Sequence, residues 1–187
     1  MPAEFTLSNG LTFCLTTKEV EQLKQKARAL KKEFGIPHHQ ALDLAAKTEG
    51  LHHWKHVCES SNLMQPTEKT FYFGIFLSMN WKESSSLRTY DGVFIPDQRL
   101  EYFCKQELRE YLECCIDYDE GLNRPFKASL SEREFNEFFS EWFEEKVFFR
   151  LDPDRKIKTF QQVLRLHRTR SMWPPQFIWI QGERYSL

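Results

Sequence analysis

Phenylalanine stands at 17 of the 187 positions, and with five Trp and six Tyr the aromatic residues make up 15% of the chain. Each packed ring hides roughly 150–250 Å² from water, so this many rings require a sizeable core. Seven Gly and eight Pro are too few for a collagen-like or linker-like chain. No apolar run reaches the roughly 20 residues of a membrane helix. Met1 to Gly10 lacks a basic stretch followed by an apolar core, so no secretory leader is expected. The five cysteines (Cys14, Cys58, Cys104, Cys114 and Cys115) are odd in number and irregularly spaced. Free thiols in a reducing cytoplasm are the expectation, with no membrane partner.

The net charge of −1 hides an asymmetry. The stretch 97–145 is strongly acidic, whereas 18–58 and 150–187 are basic. Two explanations remain open: complementary regions within the fold or between copies, or a basic face that meets a polyanion.

Local patterns divide the chain. Thr16 with Glu19 forms a capping box, followed by an apolar stripe of Val20, Leu23, Ala27, Leu30 and Phe34. Gly35 and Pro37 end that helix. A second helix carries Ala41, Leu42, Leu44, Ala45 and Ala46. A third is expected from Leu51 to Glu59, with Trp54, Val57 and Cys58 inward. Ser60-Ser61-Asn62 and Pro66 read as a connector. Residues 16–62 are thus a helical module, and 68–187 an aromatic-rich α+β domain. In the latter, Phe71 to Leu77, Gly92 to Ile95 and Phe177 to Ile180 are strand candidates. Asp97 is a candidate cap for a helix carrying Leu100, Cys104, Leu108 and Leu112. Ser131 with Glu134 opens a helix with Phe135, Phe138, Phe139, Trp142 and Phe143 inward, closed by Asp152-Pro153-Asp154. Phe160, Val163, Leu164 and His167 suggest one more. The expected class is α+β, helix-dominated, with two to four strands in a small sheet.

Within the module, Leu23 to Leu30, Gly35-Ile36-Pro37-His38-His39-Gln40-Ala41-Leu42 and Glu49-Gly50-Leu51-His52-His53-Trp54 fall at characteristic offsets. This segment resembles the short helical domain at one end of bacterial glyoxalase-superfamily proteins and of plasmid and other mobile-element proteins. The resemblance spans about a fifth of the chain. It implies a helical fold and a bacterial setting. Residues 68–187 lack the strand-rich pattern and the His and Glu ligands of a glyoxalase, so no ligand set is carried over.

Candidate sites were weighed against plainer explanations. His52 and His56, four apart, have the spacing of a metal pair, but the Glu of a zinc-protease motif is missing. Asp117-Tyr118-Asp119-Glu120-Gly121 fails as a calcium loop, because Leu122 and Ala128 stand where Gly and Glu are needed. It fits a solvated acidic helix end, or an acidic surface that mimics DNA phosphates. No phosphate-binding Gly loop or nucleophile elbow occurs. Gln40 to Glu59 can be read as a helix-turn-helix that presents His52, His53, Lys55 and His56 to a groove. Lys24, Arg28, Lys31 and Lys32 on the first helix, with Arg165, Arg168 and Arg170, would then contact phosphates. Trp173, Phe177 and Trp179 are candidates for an exposed partner patch.

The leading expectation is a non-enzymatic bacterial accessory protein, mobile-element encoded, that contacts nucleic acid or a protein partner through its basic helical module. No catalytic residue, metal or cofactor is assigned, and a homo-oligomer is allowed. The alternatives are a small-molecule-binding or glyoxalase-related enzyme, and an acidic antitoxin-like or DNA-mimic inhibitor.

Overall fold

The structure is a computed structural model and describes residues 14–117 and 123–187. The chain divides into two compact units between Lys69 and Thr70.

The first unit is helical. Helix α1 (Thr17–Phe34) begins at Thr16, whose hydroxyl accepts from the Glu19 N–H while the Glu19 carboxylate accepts from the Thr16 N–H at 2.8 Å. This reciprocal cap satisfies two otherwise orphaned donors. Gly35 stops the helix in the left-handed region, at φ 63°, where a side chain would be strained. Leu23 and Ala27 are buried, whereas Phe34, the last member of the expected stripe, is 58% exposed. Helix α2 (His38–Thr48) buries Ala41, Ala45 and Ala46. Ala27 clusters with Ala41 and Ala45, small side chains that let two helices approach closely.

Helix α3 (Trp54–Phe73) departs from expectation. It starts at Trp54 rather than Leu51, and it runs straight through Ser60-Ser61-Asn62 and Pro66. Phe71 to Phe73, read as strand, form its last turn. Burial explains the extension: Ser60, Ser61, Met64 and Thr67 are all buried along it. Near its end, the Glu68 carboxylate accepts from the Thr17 N–H at 3.0 Å and hydroxyl at 2.7 Å, holding the start of α1. Tertiary packing thus overrides the local breakers. Pro66 still removes one i→i−4 bond and crowds the carbonyl of Asn62. Pro66→Ala is therefore expected to raise stability by about 2 kcal/mol, read as a higher urea midpoint. An unchanged or lower midpoint would show that the helix has already relaxed around the ring.

The second unit is α+β. Strand β1 (Ile75–Asn80) is followed by helix α4 (Trp81–Ser84), strand β2 (Phe94–Pro96) and a 3₁₀ turn at Gln98–Leu100. Helix α5 (Glu101–Cys114), the short strands β3 (Ile116–Asp117) and β4 (Arg124–Pro125), and helices α6 (Phe126–Ser129) and α7 (Glu132–Glu144) come next. Strand β5 (Lys146–Leu151), helix α8 (Phe160–Arg168), and strands β6 (Phe177–Ile180) and β7 (Glu183–Ser186) complete it. An antiparallel sheet has the order β2-β5-β1-β6-β7, and β3 pairs only with β4.

Both faces of this sheet are covered. Ile75, Leu77, Met79, Phe149, Leu151 and Ile178 pack with Val163 and Leu164 of α8. The alternate residues Phe76, Phe148, Phe177 and Trp179 pack with Cys104, Leu108 and Leu112 of α5 and with Phe135, Phe139 and Phe143 of α7. The aromatic load of the sequence is concentrated here. Two-sided burial makes the central strands nearly continuous apolar runs rather than alternating ones.

That pattern hid one strand. The expected helix from Ser131 to Asp152 ends at Glu144, and Lys146–Leu151 forms β5 between β1 and β2. β7 was not expected at all. The described residues therefore hold seven strands, more than the two to four anticipated. Asp97 does not cap a helix with its side chain. It is buried, and its carboxylate lies 2.8 Å from Arg99 Nε and 3.4 Å from Arg150 Nε. Phe177 and Trp179, candidates for an exposed patch, are buried at 4% and 0% exposure, so only Trp173 of that trio faces solvent. Cys58, placed inward by the sequence, is exposed, and all five cysteines are free thiols. At the start of β1, Gly74 has a local role: a Cβ there would lie 2.9 Å from both the Cα and the carbonyl oxygen of Thr70.

Candidate nucleic-acid interface

The basic residues of the first unit separate by partner. Lys26 is committed to Glu49 at 2.6 Å. Lys24 and Arg28 share Glu21 at 3.5 and 3.6 Å, on an exposed helix face where such pairs contribute at most about 1 kcal/mol. Lys31 and Lys32, in the last turn of α1, are exposed and have no ion pair among the described residues. They sit at the negative end of the helix dipole, which accounts for them partly on stability grounds. Lys55 lies 3.7 Å from Glu59 one turn on.

The histidines are arranged differently from the sequence expectation. His52 and His53 precede α3 instead of lying on it. His53 closes the helix start: its Nδ1 accepts from the His56 N–H at 3.0 Å, and its carbonyl from the same N–H at 3.1 Å. Asp43 of α2 accepts from the Trp54 N–H at 2.8 Å. Sequence reasoning missed both caps, because neither His nor a distant Asp is a local cap signal. The His52 and His56 rings stack at 5.9 Å. Among the described residues no three His, Cys, Asp or Glu side chains gather as a metal site. The acidic run at Tyr118 to Gly121 lies outside the described residues.

In the second unit, Arg165 and Arg168 project from α8 and are exposed, with no ion pair among the described residues. Arg170 is different. Its Nε lies 3.0 Å from the Asp91 carboxylate, and its Nη1 donates to Thr169 Oγ1 at 2.8 Å. The guanidinium holds Asp91 below the usual carboxylate range, after the larger effect of the Val93 N–H. Arg170 is thus a strut rather than a free phosphate contact. The same strut aligns two loops. The Arg88 N–H donates to the Arg170 carbonyl at 3.0 Å, and the Ser86 and Ser171 hydroxyls are 2.8 Å apart. Arg88 was not singled out from the sequence, since only this stitching brings it beside α8.

One further recess occurs. A cleft of about 310 Å³ is lined by Glu107, Glu110, Tyr111, Cys114, Cys115 and Arg184. Arg184 is tied to Glu107 at 2.9 Å and rests on the Tyr111 ring at 4.5 Å. Burial, then a hydrogen bond with Cys115, raises the Tyr111 phenol. None of the candidate contact residues lines it, and Cys114 and Cys115 enter the sequence reading only as free thiols.

No family model, curated protein or solved structure matches the chain. Among the described residues, no helix is long and apolar enough to cross a membrane.

Proposed function

We propose that this is a non-enzymatic accessory protein that contacts nucleic acid through its unpaired cations. The observation that carries this is selective neutralisation. Lys26, Arg99, Lys127, Arg170 and Arg184 each have an acidic partner within 3.0 Å. Arg88, Arg165, Arg168, Lys31 and Lys32 have none among the described residues, in a chain whose net charge is only −1. Side chains left bare while others are matched are available to phosphates, whose contacts fix position without reading sequence. The resemblance of residues 20–59 to mobile-element proteins agrees with such a role and implies a bacterial setting, and the odd, irregularly spaced cysteines suit a reducing cytoplasm.

Charge substitution tests the reading. Arg165→Gln with Arg168→Gln is expected to weaken binding to duplex and single-stranded oligonucleotides alike, and to reduce the slope of log K against log salt by about 2. Lys24, Lys31 and Lys32 changed together to Glu should act in the same direction. Binding and slope unaltered in both variants would exclude these surfaces.

A further inference from the structure

We infer that the nucleic acid is single-stranded, and that unpaired bases stack at the stitched edge of the second unit, on Trp173 and Tyr90. This rests on the reading above and names the ligand of the same site. Tyr90 is 84% exposed, Met172 86% and Trp173 51%, whereas most of the other described aromatic residues are buried or half-buried. Burial is the ordinary fate of a large ring, so exposed ones close together are informative. The loops that carry Tyr90 and Trp173 are joined. Tyr90 adjoins Asp91, which pairs with Arg170, and Trp173 follows Arg170 by three residues. Ser171 Oγ is also within hydrogen-bond distance of both the Trp173 carbonyl, at 3.0 Å, and its N–H, at 3.3 Å. Tyr90 and Trp173 therefore stand one and three residues in sequence from the two members of one ion pair, on loops joined by the Arg88–Arg170 and Ser86–Ser171 bonds.

Charge selects the partner. Arg88, Arg165 and Arg168 lie on the same loops and helix end, and the Asp91 carboxylate on these loops is neutralised by Arg170. Cations alone would suit any nucleic acid. Exposed rings beside cations suit a strand whose bases are free, because stacking is tolerant of sequence and unavailable in a closed duplex. An acidic peptide would meet the arginines but offer little to the rings. Since the loops are held before binding, little ordering remains to be done on association.

The test uses the full-length protein with a fluorescent oligothymidylate and a duplex of equal length, at about 50 mM salt. Trp173→Ala with Tyr90→Ala is expected to weaken the single strand by about tenfold or more, leave the duplex within about twofold, and Trp173→Phe to keep most of the affinity. An equal loss on both polymers, or no loss on either, would overturn the stacking site while the broader reading stands. Failure of the wild-type protein to bind either polymer would overturn both.

Discussion

Trp179→Ala is expected to cost about 3–5 kcal/mol, enough to unfold a large fraction of a marginally stable chain. The indole is fully buried at the centre of the second unit. It stacks on Phe76 with ring centroids 4.6 Å apart and planes 8° from parallel, and it also contacts Phe148 and Phe177. Its Nε1 donates to Glu107 at 3.0 Å, and the other oxygen of that carboxylate holds Arg184. Truncation removes apolar contacts from a packed layer and leaves one oxygen of the Glu107 carboxylate without its indole donor. Trp179→Phe should cost less, about 1–3 kcal/mol, because part of the volume is kept and only the donor is lost. Urea denaturation at neutral pH reads both. Equal, small losses for the two variants would mean that the indole is not a centre of the core.

Acid should also destabilise the protein through a single group. His167 is buried at 1% exposure, its ring edge-on to Phe94, and its Nε2 has no hydrogen-bond partner among the described residues. Burial disfavours the imidazolium and pushes the pKa down to about 4, from an ordinary 6.5. Above pH 6.5 the side chain is neutral in both folded and unfolded chains. Between pH 6.5 and 4 the unfolded chain takes up a proton that the folded chain refuses, so stability falls as pH falls. The loss approaches about 3 kcal/mol and levels off below pH 4. Carboxylates held low, such as Glu113 beside Lys127 and Glu134 in its capping box, add losses of their own at lower pH. The informative quantity is therefore the difference between wild type and His167→Leu, measured by urea midpoint at pH 7 and pH 4.5. The variant should lose less on acidification. Parallel curves would show that His167 titrates normally.

The parts of the fold legible in the sequence are those whose causes are local. The Thr16–Glu19 and Ser131–Glu134 boxes bind residues three apart, so both helix starts could be read directly. The helix at Phe160–Arg168 and the strand at Phe177–Ile180 likewise follow from short periodic runs. Long-range causes were not legible. Nothing between Phe143 and Val147 marks the change from helix to strand, since both segments are apolar on the side they bury. Lys146–Leu151 becomes a strand because β1 and β2 lie on either side to receive its backbone bonds. Glu183–Ser186 is polar, and only its pairing with β6 makes it a strand. Ser60, Ser61 and Pro66 look like breakers until the burial of Met64 and Thr67 is seen.

The residues of the proposed interface show the same division. Arg165 and Arg168 could be named from charge alone. The loss of Arg170 to Asp91, 79 residues away, and the gain of Arg88 and Tyr90, required knowing which loops meet.

Bare cations on this chain are proposed to bind nucleic acid. Titrating the purified full-length protein against a labelled oligonucleotide at about 50 and 200 mM salt addresses this most directly. Binding is expected at the lower salt and should weaken by orders of magnitude at the higher. No binding at 50 mM, or binding indifferent to salt, would contradict it.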